Sequence, residues 1–273
     1  MMIVKKNFLK ATAFILAMVV LPTSGQAQQQ KRTQTRRPAT PAVVKRPKLP
    51  IEFVEEYNVG TTDEKNNTSE YAMFIWNRTD SATHMPKLEE WVGIFPLDGA
   101  VSFEDDDMLT DNVEYVNIQG EVHEFLADYQ RNMRTCYAIR LKSDDNLYRC
   151  AYRYKKNGSF RDDNNLTSGL EVSVIYLGPS FKGSLQTIAN EQYWNTNKSK
   201  IIRRYFPASG YQSNSHNQMW GESITLKRGC VGYFWSDLMN ESMVPTVMIT
   251  GSGISQSMLR GDCLLPVRRF TNQ

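Results

Sequence analysis

Two runs of alternating side chains, Thr135–Lys142 and Leu147–Lys155, flank four polar residues, Ser143-Asp144-Asp145-Asn146. Successive side chains of a strand point to opposite faces, so period-two runs around a short polar turn make a β-hairpin. Tyr, Phe, Trp, Val and Ile also fill the chain beyond Leu49. Further strands are expected at 52–57, 71–76, 113–118, 170–177, 201–206, 223–227, 231–236, 244–250 and 264–270. Only two segments show a helical period. Lys87–Phe95 follows Pro86 and sets Leu88, Trp91, Val92 and Phe95 on one stripe, and Ser184–Tyr193 does the same with Leu185, Ile188, Ala189 and Gln192. Segment 121–133 fits helix or strand, and Gly251-Ser252-Gly253 reads as a turn between strands. Many short strands, few helices and no long linker after Pro50 argue for one α+β domain over 51–273.

A chain of 273 residues that is 41% hydrophobic buries a sizeable core without help from a metal or a dense disulfide framework. Its charge is segregated. Residues 1–50 hold ten Lys or Arg and no acid, which leaves 22 basic against 29 acidic residues beyond, a net of −7. An acidic folded part excludes nucleic-acid binding by that part, because phosphates need a basic surface. Lys5, Lys6 and Lys10, the apolar run Ala11–Leu21, and small residues up to Ala27 read as a cleavable export signal over 1–27. The apolar run is too short for the roughly 20 residues of a membrane span, so no transmembrane segment is expected after cleavage. Residues 28–50 carry seven basic residues and four prolines and read as a flexible linker, a solvated spacer ahead of contact with acidic surfaces. The expected location is the periplasm, the cell surface or the medium.

His84, His123 and His216 lack metal-ligand spacing, and Ser252 has no identifiable base. Glu104-Asp105-Asp106-Asp107 and Asp162-Asp163-Asn164-Asn165 lack the spacing of a calcium loop and read as solvated turns. No metal, no cofactor and no catalytic residue is expected. An even cysteine count in an exported chain suggests bridges, with Cys136–Cys150 and Cys230–Cys263 preferred among three pairings; four buried thiols are the alternative.

Four segments occur in a specific order: Met85-Pro86-Lys87-Leu88-Glu89-Glu90-Trp91, Phe206-Pro207-Ala208-Ser209-Gly210-Tyr211, Gly232-Tyr233-Phe234-Trp235-Ser236, and Arg260-Gly261 leading to Pro266-Val267-Arg268-Arg269. This series resembles the Fibrobacter major paralogous domain of secreted bacterial proteins and, more distantly, the formylglycine-generating, sulfatase-modifying domains. The resemblance implies a C-type lectin-like fold of short antiparallel strands, two helices and long loops, with residues from about 97 to 200 as an inserted elaboration. It casts Trp91, Gly210, Gly232, Trp235 and Arg268 as scaffold. The Glu-Pro-Asn and Trp-Asn-Asp signatures of calcium-dependent sugar-binding relatives are absent, as is the close cysteine pair of the sulfatase-modifying enzymes.

The implied function is a noncatalytic module that binds a protein or glycan. The alternatives are a structural subunit of a surface assembly such as a fimbria, paired with other envelope subunits, and a degenerate sulfatase-modifying enzyme. The uncharged stretch 211–220 supplies amide, hydroxyl and aromatic groups in Tyr211, Asn214, His216, Asn217 and Trp220; Asp237, Asn240 and Glu241 form a matching rim. The competing reading packs Tyr211 and Trp220 onto the core.

Overall fold

The computed structural model describes residues 46–62, 71–73, 82–103, 109–161, 168–213, 224–237, 243–261 and 263–272, all within one unit spanning 45–273. In chain order its elements are β1 (Tyr71–Met73), β2 (Thr83–His84), α1 (Leu88–Val92), β3 (Leu109–Ile118), β4 (Glu121–Asn132), β5 (Thr135–Lys142), β6 (Cys150–Asn157) and β7 (Gly169–Tyr176). There follow α2 (Leu185–Ile188), α3 (Glu191–Thr196), β8 (Ile202–Pro207), β9 (Tyr211–Ser213), β10 (Ile224–Leu226), β11 (Gly232–Trp235), β12 (Met243–Ile249), β13 (Ile254–Arg260), β14 (Cys263–Pro266) and β15 (Phe270–Thr271). The fold is mostly antiparallel sheet with few helices.

Six strands, β3 to β8, pair in sequence order as successive antiparallel neighbours. Segment 121–133 is therefore strand, the second of this sheet. The stretch set apart as an elaboration, from about 97 to 200, supplies five of these six strands and most of the core lining. Three smaller sheets complete the unit, in the orders β1-β14-β9-β10, β11-β12-β13 and β15-β2.

One face of the large sheet presents Val116, Phe125, Ala138, Tyr152, Tyr154, Val172 and Phe206 to α1 and to Leu49, Ile51 and Phe53. Trp91 is fully buried there, stacked on Phe95 and edge-on to Phe270, and its indole N–H donates to the Trp235 carbonyl at 2.9 Å. A buried aromatic that satisfies its one polar atom keeps the full gain of burial. Beyond α1, the exposed carbonyls of its last turn are met by the sheet. Arg140, wholly buried, donates to the Val92 and Ile94 carbonyls, while Tyr152 donates to Gly93 and Tyr154 to Ile94. The guanidinium is balanced by Glu114 at 3.0 Å, which also accepts from the Tyr129 hydroxyl. Helix-end acceptors are thus paired from strands three and four elements away, which fixes α1 against the sheet.

The other face is covered over β5–β7 by α2 and α3, with Leu185, Ile188 and Trp194 on Tyr137, Ile139 and Ile175. Asn190 caps α3 by accepting from the Tyr193 N–H at 2.8 Å. Arg153 lies over the Trp194 ring and pairs with Glu191 at 2.9 Å.

The stretch expected as one helix over Ser184–Tyr193 is two, α2 and α3, parted at Ala189-Asn190, and three other expectations need correction. Residues 52–57 are not a strand: Pro50–Phe53 is a 3-10 turn, because Pro50 presets its first position and Glu52 accepts the Leu49 N–H at 2.7 Å. Only Val54 pairs in a ladder, with Phe270. Residues 264–270 are two strands, because Arg268 turns inward between them. Its guanidinium donates to Asn58 at 2.7 Å and to the carbonyls of Glu55, Glu56 and Tyr205.

The third concerns the bridges. Cys136 lies opposite Tyr154 and Cys150 opposite Arg140, so the two are offset by four residues on neighbouring strands, about 14 Å. That exceeds the reach of a disulfide. Cys230 closes the turn before β11 and Cys263 opens β14; they share one apolar cluster, and no disulfide is formed in this structure. No helix among the described residues is long and apolar enough to cross a membrane.

Candidate functional site

The two glycines of the recognisable motifs meet. Gly210, with φ +70, forms a parallel bridge to Gly232, where a Cβ would stand 3.0 Å from the Pro207 carbonyl oxygen. Left-handed backbone and close approach of two chains are both conditions that glycine meets at least cost. From this bridge β9 and β11 set out side by side in the same direction. Tyr211, half-buried, rests edge-on against Tyr233 at 5.6 Å.

β11 ends at Trp235, and the chain is held onward by three bonds: the Ser236 hydroxyl and N–H both donate to the Pro245 carbonyl, at 2.9 and 3.3 Å, and the Asp237 N–H donates to the Pro86 carbonyl at 2.7 Å. This delivers the half-buried Asp237 carboxyl to the start of α1, beside Lys87, His84 and Glu90. Burial, and to a lesser degree the Glu90 charge, push Asp237 above the usual carboxylate range against the pull of Lys87 and His84.

His84 is the hub of this ledge. Its Nε2 lies 2.9 and 3.0 Å from the two oxygens of Glu90, and its Nδ1 lies 2.9 Å from Asn272 Oδ1. Both ring nitrogens face acceptors, the arrangement of an imidazolium. The Glu90 hydrogen bond is the largest influence raising the pKa of His84. Glu90 is fixed in turn, accepting the Lys87 N–H at 2.8 Å as it closes the first turn of α1. A histidine held between a carboxylate and an amide forms a charge pair; the nucleophile-facing geometry of a hydrolytic triad is a different arrangement.

Of the residues expected to bind ligand, the structure places Tyr211 at the start of β9, beside the glycine bridge, and Asp237 two residues past the far end of β11. Asn214, His216, Asn217, Trp220, Asn240 and Glu241 lie outside the described residues, as do the acidic runs 104–107 and 162–165. His84, Lys87, Glu90 and Asn272 were not foreseen as partners. Asn272 is 188 positions from His84, and only the pairing of β15 with β2 brings it there.

No curated protein and no solved structure matches the chain. Residues 46–270, nearly the whole of the folded unit, match the family model described as Domain of unknown function (DUF8237), and the chain belongs to that family.

Proposed function

We propose that the protein is an exported, noncatalytic binding module with a C-type lectin-like scaffold, akin to the Fibrobacter major paralogous domain. Its protein or glycan ligand meets the ledge around Asp237 together with the polar segments that follow β9 and β11. The observation that carries this reading is the parallel Gly210–Gly232 bridge, which starts both strands in one direction and so sends the chain toward both segments from a common origin. The edge-on Tyr211–Tyr233 pair supplies a rigid aromatic base, and Asp237 a partly desolvated carboxyl, which is the mix of anchor and adaptable polar group that recognition surfaces use.

The test is a glycan and surface-protein binding screen on the exported protein, with its N-terminus sequenced. The expected start is Gln28. Against a surface-protein or neutral-glycan ligand that the screen returns, Asp237→Asn and the triple variant Asn214→Ala, His216→Ala, Asn240→Ala lose binding while the melting temperature stays within a degree or two, as surface substitutions do. A triple variant that keeps full affinity, or that unfolds, places the ligand elsewhere.

A further inference from the structure

At the opposite end of β12 from Asp237, about 20 Å along the strand, lies a recess of about 640 Å³. Three turns build it: Met133-Arg134 between β4 and β5, Gly158–Arg161 after β6, and Gly251-Ser252 between β12 and β13. Phe103 lines its floor.

Its charge runs against the rest of the fold. Several cations of the large sheet face carboxylates: Arg140 meets Glu114, Lys142 meets Asp128 at 2.6 Å, and Arg153 meets Glu191. Arg134, Lys156 and Arg161 converge on the recess, and among the described residues no carboxylate lines it or pairs with them. The unit of residues 45–273 holds 25 basic and 29 acidic residues, a net of −4, and three converging cations stand out against that balance.

Lys156 is also held in place. The Lys156 N–H donates to the Arg134 carbonyl at 2.8 Å, which locks the two residues side by side. The Lys156 ammonium donates to the Gly251 carbonyl at 2.6 Å and stands 5.5 Å from the Phe103 ring centre. Arg134 (φ +76) and Phe160 (φ +54) take left-handed backbone, which residues with side chains rarely adopt, and here they do so at the wall of one recess. Burial, followed by the charges of Arg134 and Arg161, holds the Lys156 ammonium below its ordinary pKa. An anion in the recess would relieve that repulsion.

The shape and lining narrow the ligand. The volume is that of a site for a small organic molecule and far exceeds a lone ion. Guanidinium forks match carboxylate and sulfate oxygens in pairs, and lysine adds a point charge. Phe103 and Phe160 are buried, so the recess offers no apolar slot for a peptide anchor. What it presents instead is the Ser252 hydroxyl, turn backbone and the exposed Met133 side chain. We propose that this recess binds an acidic saccharide, whose sulfate or carboxylate groups are held by Arg134, Lys156 and Arg161 and whose hydroxyls meet the β12–β13 turn.

Calorimetric titration of the full exported chain tests this with a sulfated heparin disaccharide, digalacturonate and the neutral disaccharide maltose, each at low and high salt. The expected result is binding of one or both acidic sugars, weakened by salt, with no heat from maltose. Binding of the first alone names a sulfated ligand and of the second alone a uronic one. The exposed substitutions Arg134→Gln and Arg161→Gln each weaken binding about tenfold with the melting temperature retained, and Lys156→Met abolishes it. Equal binding of maltose, unchanged affinity in the Arg134→Gln, Arg161→Gln double variant, or no binding of either acidic sugar would overturn the proposal. Asp237→Asn leaves this binding intact, so the recess and the ledge stand or fall separately.

Discussion

Replacing Arg140 with methionine removes a buried cation while keeping most of its volume. Glu114, whose side chain is 3% exposed, then keeps its charge without a counter-ion, and the Val92 carbonyl at the end of α1 loses its donor. Removing one partner of a buried pair costs about 3–5 kcal/mol, because the remaining charge stays desolvated. With a urea slope of about 3 kcal/mol/M for a domain of this size, a loss near 4 kcal/mol lowers the unfolding midpoint by about 1.3 M. The companion variant, Glu114→Leu with Arg140→Met, leaves no orphaned charge and is expected within about 2 kcal/mol of the native protein, since apolar replacements of buried pairs are often neutral. Equilibrium urea unfolding followed by tryptophan fluorescence reads both. A single variant whose midpoint stays within roughly 0.3 M of native, or a double variant as damaged as the two single ones added, would show that the pair is not desolvated as the geometry requires.

His84 has a raised pKa in the folded state, so its contribution is complete below its unfolded value of 6.5 and disappears as pH rises through the higher folded value. The melting-temperature gap between the native protein and His84→Asn is therefore widest in mild acid and closes at alkaline pH; a gap independent of pH refutes this. Arg268→Lys, which cannot serve Asn58 and three carbonyls at once, costs about 2–4 kcal/mol in urea unfolding. Gly210→Ala forces a side chain into left-handed backbone and costs about 1–2 kcal/mol, measured the same way. Native protein treated with maleimide at neutral pH leaves Cys136 and Cys150 unlabelled, since both are buried and burial pushes the Cys150 thiol pKa up, whereas unfolded protein labels all four.

The hairpin of β5 and β6 was legible from its two strand-forming runs around a polar turn, although nearly every residue of both strands is buried, on one face by α1 and on the other by α2 and α3. Its second strand starts at Cys150 and not Leu147, since two successive turns, closed by Asn146 to Ser143 and Arg149 to Asn146, consume the extra residues. β13 left almost no trace: Ile254 is its single buried residue, so the burial that writes a period into sequence acts on one position. The apolar group Ile51, Phe53 and Val54 misled in the opposite way, because a 3-10 turn buries such residues as well as a strand does. Glu90 stood in the sequence only as one residue of the Met85–Trp91 motif, and His84 only as a histidine without metal-ligand spacing. Their partnership, and the gathering of Arg134, Lys156 and Arg161, depend on register between distant segments, which no local pattern encodes.

The tie made by Arg268 has a consequence in time. It joins the last strands to Glu55, 213 positions earlier, and Phe270 packs on Trp91 and pairs with Val54. At a ribosomal rate of 5–20 residues per second, Leu49, Ile51 and Phe53 wait about 10–40 s after emerging before those partners exist. Meanwhile the large sheet needs only neighbours, since each of its strands pairs with the next in sequence. Strand-by-strand zipping of β3 to β8 comes first and closure around α1 last. The nascent chain therefore remains an open half-structure, available for transport or for chaperones, until its final residues arrive.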